Sequence, residues 1–390
     1  MLKTEDLLLS LVRKGALGED DTASLGLSTS ERELLYSMAS AHDIAHIVGG
    51  FLAKTGDLAD DTPSKQFQKA VNVSRFRYVQ MENALRCVAS LLEEGEIPFI
   101  PLKGAVIRYL YPDPALRSSC DIDILVKKED LKRAVQLLTE KGGYTVQRQG
   151  TAHDISLFSV DRVHVELHYD LMDMDERMAS ALGDPWQSAC PKEGKRFFYL
   201  FSQEMLVTYH IVHMAKHFVF GGCGIRPLLD LHILHRRLSF DKATVEEKLS
   251  QAGLLSFYHQ MTRLSQVWFG DETHTDLTRE MQCYLLRGGV YGTVQNHAQN
   301  SVAKRGRVRH FLRQLFPSAT YIKKRYAKAK KHPILLPWFY LWRLLCFLCK
   351  PHAKEKLKIN FEVAKAGATE EGRRSLWMMQ ELGMDRTELL

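Results

Sequence analysis

The stretch LKGAVIRYLYPDPALRSSCDIDILV, residues 102–126, decides how the chain is read. At its end Asp121 and Asp123 alternate with Ile122, Ile124 and Val126. Alternation at period two marks a β-strand with one polar and one apolar face, so both carboxylates point the same way. Same-face neighbours on a strand lie about 6.5–7 Å apart at Cα, twice the ~3.3 Å rise, so their oxygens can converge on cations without collapsing together. Oxygen donors at that spacing suit Mg²⁺. An Asp-x-Asp pair alone equally fits a solvated strand face, and the surrounding sequence has to separate the two readings.

Working outward, residues 97–102 read as a strand and residues 104–111 as a short helix, with Lys103 and Gly104 at the junction. Backbone N–H groups and a cation at such a junction can hold phosphate, whereas an ordinary turn with a surface lysine fits the same residues. Residues 120–126 form the central strand, and residues 129–141 an amphipathic helix closed by Gly142 and Gly143. Two further strands, over 155–160 and 163–169, are separated by Asp161 and Arg162, which predicts an antiparallel hairpin with a two-residue turn. In the second of them, VHVELHY, His164, Glu166 and His168 share one face and Val163, Val165 and Leu167 the other. Glu166 thereby becomes a third carboxylate. His164 or His168 would orient a metal-bound water or act as a base, or would simply bond backbone, with His168 the one retained as a candidate.

Helical patterns flank this α/β unit. Ser30 and Glu33 stand in capping-box spacing before an apolar run that reaches Phe51, residues 55–63 form a turn-rich break, and a long helix resumes over 65–94. Phe76, Tyr78 and Met81 are expected to pack rather than to bind a ligand. Beyond Tyr169 the chain turns helical again, and residues 204–218 place His210, His213 and His217 on one face. No cysteine or carboxylate follows them in a ligand pattern, so a packed helix face is expected there rather than zinc. After the GGCG turn at 221–224, Arg226 and Asp230 stand one helical turn apart and are expected to pair with each other or to reach a nucleotide. The fold class is α+β, a small mixed sheet embedded in a mostly helical protein. The expected divisions are a helical region (1–95), the α/β core (96–172), a helical domain (173–300), a basic aromatic helical region (301–360) and a tail (361–390).

With 390 residues, 45% of them hydrophobic, the chain can bury more than one core. Its seven cysteines are scattered and odd in number, which argues against a disulfide framework and for a reducing compartment; Cys346 and Cys349 form a lone C-x-x-C expected to be buried thiols. Acidic residues interrupt the first apolar run and no small-residue cleavage site follows, so no signal peptide is expected and the cytoplasm is the expected location. The net charge of +7 conceals an asymmetry: residues 304–358 hold 16 Lys or Arg against one acid, Glu355, so this segment carries +15 and the remainder −8. Such a segment calls for an anionic partner, whether a membrane surface, a nucleic acid or an acidic protein. Within it, ILLPWFYLWRLLCFL (residues 334–348) is too short and too interrupted to span a bilayer. It is expected to cover the catalytic unit as a core helix, the alternative being a helix lying in a membrane interface.

LKG, an arginine shortly before DIDILV, and a carboxylate in an apolar strand ending in histidine together resemble the nucleotidyltransferases of the DNA polymerase beta-type superfamily, in particular its branch of largely uncharacterised bacterial proteins. The likeness is most specific over residues 101–169 and extends more loosely from near Ala41 to Phe316 and Trp338. It implies transfer of a nucleoside monophosphate from a nucleoside triphosphate, ATP among them, to a hydroxyl or phosphate acceptor. It also implies Asp121, Asp123 and Glu166 as catalytic residues and as ligands of Mg²⁺ or Mn²⁺, with Lys103, Gly104, Arg117, Ser118 and Ser119 holding the nucleotide. Arg117 would grip a triphosphate oxygen or pair with the carboxylates. One departure stands out. The superfamily carries a Gly-Ser pair about a dozen residues before its first Asp, whereas Gly104 is followed by Ala105 and lies seventeen residues ahead of Asp121. The phosphate-binding hydroxyl would then come from Ser118 or Ser119, or be replaced by Lys103. Two rival expectations follow: a catalytically silent nucleotide-binding or scaffolding module, and a peripheral membrane protein acting on a lipid-linked or polysaccharide acceptor.

Overall fold

Four helices precede the sheet: α1 (Thr4–Leu17), α2 (Thr29–Ala41), α3 (Ala45–Thr55) and α4 (Thr62–Glu94). The computed structural model describes residues 4–19, 23–147, 154–171, 176–219, 221–290, 332–348 and 370–384, together with 319 and 322. The capping box of α2 uses Ser28 and Glu31 instead of Ser30 and Glu33. Ser28 Oγ accepts from the Glu31 N–H, and the Glu31 carboxylate accepts from the Ser28 N–H at 2.8 Å. Both pairs have the required spacing, but Ser28 holds the extended backbone that a cap needs (φ −72°, ψ 162°), and Ser30 already lies inside the helix. The break before α4 ends at Asp61, whose carboxylate caps the helix by accepting from the Ser64 N–H.

The central unit runs β1 (Phe99–Pro101), α5 (Gly104–Ile107), β2 (Asp121–Val126), α6 (Leu131–Glu140), β3 (Thr145–Val146), β4 (Asp154–Phe158) and β5 (His164–His168). The sheet order is β1-β2-β5-β4-β3, with β2 and β5 parallel and the other pairs antiparallel. The hairpin is wider than a two-residue turn: Phe158 faces His164, and Arg162 in the loop has φ 59°. Arg162 stands where a tight primed turn favours glycine, and the strands part earlier. The helix expected over 104–111 is one α-turn followed by a 3₁₀ turn (Arg108–Leu110).

Next come α7 (Glu176–Leu182), β6 (Ala189–Pro191) and β7 (Tyr199–Phe201). The β6–β7 hairpin, unforeseen because its strands are three residues long, docks on the free edge of β1, where the Phe99 N–H donates to the Phe197 carbonyl at 2.9 Å. The remaining described helices are α8 (Gln203–Val219), α9 (Arg226–Arg237), α10 (Lys242–Gln251), α11 (Leu255–Phe269), α12 (Asp276–Gly288), α13 (Leu336–Leu348) and α14 (Glu370–Glu381). The chain is therefore α+β, a small mixed sheet within a mostly helical protein.

Two buried clusters pack the two faces of the sheet. Ile122, Ile124, Val165 and Leu167 meet Val88 and Leu92 of α4 and Leu138 of α6. On the opposite face Leu125 joins a larger cluster built from α1, α3 and the helices α8 to α12. Each fully buried aliphatic side chain contributes roughly 1.5–3 kcal/mol, so the strand register is fixed by both faces at once. Asp121 and Asp123 share the Leu125 face, which turns them toward the helices.

The connection from β1 to β2 is held by ion pairs with distant helices. Arg117 grips Asp230 of α9 through Nη2 to Oδ2 at 2.8 Å and Nε to Oδ1 at 3.1 Å, and the Tyr111 hydroxyl donates to Asp230 Oδ1 at 2.7 Å. Arg226 pairs instead with Asp43 at 2.8 Å, so the intrahelical Arg226–Asp230 pair does not form. The Arg117 and Asp230 side chains are 10% and 1% exposed. Removing one partner of such a pair strands a buried charge. Asp230→Ala is expected to cost about 3–5 kcal/mol in urea denaturation, and Arg117→Met with Asp230→Leu to recover most of that loss.

Candidate active site

Parallel pairing sets the site. Asp121 lies beside His164, Asp123 beside Glu166 and Leu125 beside His168. Neighbouring strands are about 4.8 Å apart, so residues in register on one face are contiguous. The ligand atoms of Asp121, His164 and Glu166 lie within 4.8 Å of one another, and so do those of Asp123, Glu166 and His168. Glu166 belongs to both groups. Asp154 of β4, buried beside His168 in register, adds a carboxylate that sequence reading overlooked because it stands at the start of an apolar strand.

Asp123 is the hub of the patch. Its Oδ1 accepts from Lys103 Nζ at 3.1 Å and contacts His168 Nε2 at 2.7 Å; His168 Nε2 is also 3.4 Å from Glu166 Oε2. Burial alone would raise the Asp123 carboxyl, but Lys103 and His168 outweigh it and hold the group far below the usual carboxylate range. Asp121 is shifted the other way, up, by burial and by the like charge of Asp123, with Lys103 opposing. Burial pulls His168 down, yet its bonds to Asp123 and Glu166 prevail and lift it to about 9. Burial likewise lowers Lys103, and the charge of Asp123 more than compensates, so its ammonium is held charged.

Lys103 reaches this position with a left-handed backbone, φ 48° and ψ −120°. That conformation costs about 1–3 kcal/mol in a non-glycine residue and persists only where its surroundings impose it. Here the lysine ammonium is aimed at Asp123 while the Leu102 N–H donates to the Asp123 carbonyl at 2.9 Å. Gly104 is required for space: a Cβ there would sit 2.9 Å from Arg117 Nη1 and 3.1 Å from Ser119 Cβ.

The other expected nucleotide-holding residues adjoin the patch with their side chains engaged. Arg117 is committed to Asp230 rather than to the strand carboxylates. Ser118 Oγ donates to Asp43 at 3.0 Å, and Ser119 Oγ accepts from Arg108. Arg108, 3% exposed, also donates to the Gly104 carbonyl at 2.7 Å. Its i+4 spacing from Gly104 was the one signal that could have found it. Asp43 gave none, being 75 residues from Ser118.

Helix α8 closes over the polar face. Tyr209, raised to about 12 by burial against the opposing pull of Lys103, senses Asp123, Glu166 and Asp121 as well. His213 is pushed well below its ordinary value by burial and by Lys103, and burial takes His217 to about 4. The two imidazoles meet at 3.3 Å between their Nε2 atoms, while His210 turns away to the Pro227 carbonyl at 2.9 Å.

A family model described as "Uncharacterised nucleotidyltransferase" matches residues 28–270. The chain belongs to that family. The match takes in the whole patch and α8, begins ahead of Ala41 and ends before Phe316 and Trp338, so the looser likeness at those two positions lies outside it. Among curated proteins and among solved structures nothing matches the chain. In this nucleotidyltransferase family member the two carboxylate and imidazole groups bring their donor atoms close enough together that a single metal ion could be held by each.

The raised His168 value has a stability consequence in metal-free protein. A folded-state pKa of about 9 against an ordinary 6.5 means stabilisation that is complete below 6.5 and lost as pH rises through 9. Urea titrations without divalent ions are expected to lose roughly 3 kcal/mol across that window, and His168→Gln to flatten the slope.

Proposed function

We propose that the protein transfers a nucleoside monophosphate from a nucleoside triphosphate to a hydroxyl or phosphate acceptor, using Mg²⁺ or Mn²⁺ at Asp121, Asp123 and Glu166. The observation that carries this reading is the register of β2 and β5, which makes two three-donor groups sharing Glu166. The donor set fits divalent cations. His164 Nε2 is buried without a hydrogen-bond partner and points toward Glu166 Oε1 at 3.7 Å, leaving a lone pair uncommitted at the shared carboxylate. Carboxylate oxygens favour Mg²⁺, and the flanking imidazoles extend the range to Mn²⁺. Bound there, such ions supply positive charge beside a transferring phosphoryl group and acidify an acceptor hydroxyl.

The chain's own residues have separate tasks. Lys103 holds Asp123 ionised and in place. His168, bonded to Asp123 and Glu166, holds a proton between them in the metal-free protein. The Lys103–Gly104 corner is the proposed phosphate side, with Arg117, Ser118 and Ser119 fixing its wall through Asp230, Asp43 and Arg108. Positioning of this kind is the main catalytic requirement of phosphoryl chemistry, which asks little covalent participation from the protein.

A second reading, a silent nucleotide-binding or scaffolding module, is favoured by the engagement of both candidate hydroxyls, Ser118 with Asp43 and Ser119 with Arg108. Incubating the purified protein with each labelled nucleoside triphosphate, Mn²⁺ and cell extract distinguishes the two. A labelled acceptor supports transfer; nucleotide binding without a labelled product supports the silent module.

Asp121→Asn tests the metal reading with opposed signs. Its charged form is disfavoured by burial and by Asp123, so neutralising it is expected to stabilise metal-free protein at pH 7 by about 1 kcal/mol. The same substitution is expected to abolish Mn²⁺ binding measured by calorimetry and any label transfer. Unchanged Mn²⁺ binding would remove Asp121 from the site.

A further inference from the structure

Helix α13 (Leu336–Leu348), with the 3₁₀ turn before it (Pro333–Leu335), was expected to bury its apolar side chains over the catalytic unit. On one face its side chains do the opposite. Ile334 is 89% exposed, Trp338 61%, Leu341 51% and Trp342 50%. Trp338, Leu341 and Trp342 stand at i, i+3 and i+4 and so share one face, whereas Leu336, Phe339 and Tyr340, on the opposite face, are half-buried. A helix that turns its tryptophans outward presents an apolar surface to something outside the fold.

The charge around this face selects the partner. The helix sits inside residues 304–358, which carry +15. We propose that the outward face of α13 lies in the interfacial region of an anionic lipid surface, to which the +15 charge of residues 304–358 would draw it. Tryptophan settles at the membrane–water boundary, and aliphatic side chains enter the acyl region beside it. Ile334 and Leu341 favour lipid over nucleic acid, because a single strand is gripped by aromatic stacking and gains little from exposed aliphatic groups. The geometry also fixes the mode. Thirteen residues span about 20 Å against a hydrocarbon core of about 30 Å, so the helix lies on the bilayer rather than crossing it. Among the described residues no helix is long and apolar enough to cross a membrane. The inference is independent of the metal site.

The test is sedimentation of the full chain with phosphatidylcholine vesicles, with and without phosphatidylglycerol, at low and at high salt. Binding to the anionic vesicles at low salt is expected to exceed that to neutral ones by roughly tenfold or more and to fall with salt. Trp338→Glu with Leu341→Glu is expected to abolish it while circular dichroism and Mn²⁺ binding stay unchanged, since both side chains are exposed and neither belongs to the proposed metal ligands. Failure to bind anionic vesicles at low salt overturns the proposal. So does binding that survives the double substitution, or an RNA oligomer that competes the protein off the vesicles.

Discussion

Placing three carboxylates on one partly buried sheet face is unfavourable, and the structure around the β2–β5 pair is arranged to bear that repulsion. Asp123 is almost fully buried, and it remains charged because Lys103 and His168 both contact the same oxygen. Asp121, without such partners, takes the opposite shift. The two aspartates are two residues apart and chemically identical, and environment alone separates them. This division would suit the proposed cation site: Asp123 is held ionised by its neighbours, and Asp121 is the carboxylate whose charge the fold does not fully offset.

The ammonium of Lys103 can serve Asp123 only if the chain turns sharply after β1, and each feature of that turn has a structural price or support. Lys103 adopts a left-handed backbone, Gly104 gives up its side chain to Arg117 and Ser119, and Arg108 bonds back to the Gly104 carbonyl. The loop that follows is tied by Arg117 to Asp230 and by Ser118 to Asp43. Helices far apart in sequence thus determine where a lysine next to a strand points. The family match over residues 28–270 contains the whole of this network, which runs from Asp43 to Asp230.

Much of this was legible in the sequence wherever a period exposed it. Alternation identified β2 and β5, their faces and the three carboxylates, and the mixture of short apolar runs with helical stretches gave the α+β class. What stayed hidden was pairing at long range. Arg226 and Asp230 looked like natural partners one turn apart, yet each faces a separate element and finds a charge there first. Ser28 and Ser30 offered the same capping spacing, and only the backbone distinguished them. β3, β6 and β7 were missed because two or three residues cannot establish a period.

For one face of the described part of this segment, Trp338, Leu341 and Trp342, the expectation of burial failed for a different reason. Hydrophobic content was taken to mean burial, but composition says only that a segment prefers to leave water and does not say into what. A core helix and an interfacial helix draw on the same residues and differ in which face the fold covers. In α13 the fold takes Leu336, Phe339 and Tyr340 and leaves Trp338, Leu341 and Trp342 outside. Retaining a row of exposed tryptophans and leucines in water is unfavourable to any protein alone, and the surrounding charge of +15 would oppose self-association through the same face. An anionic surface removes both difficulties, accepting the apolar side chains and the cationic flanks together.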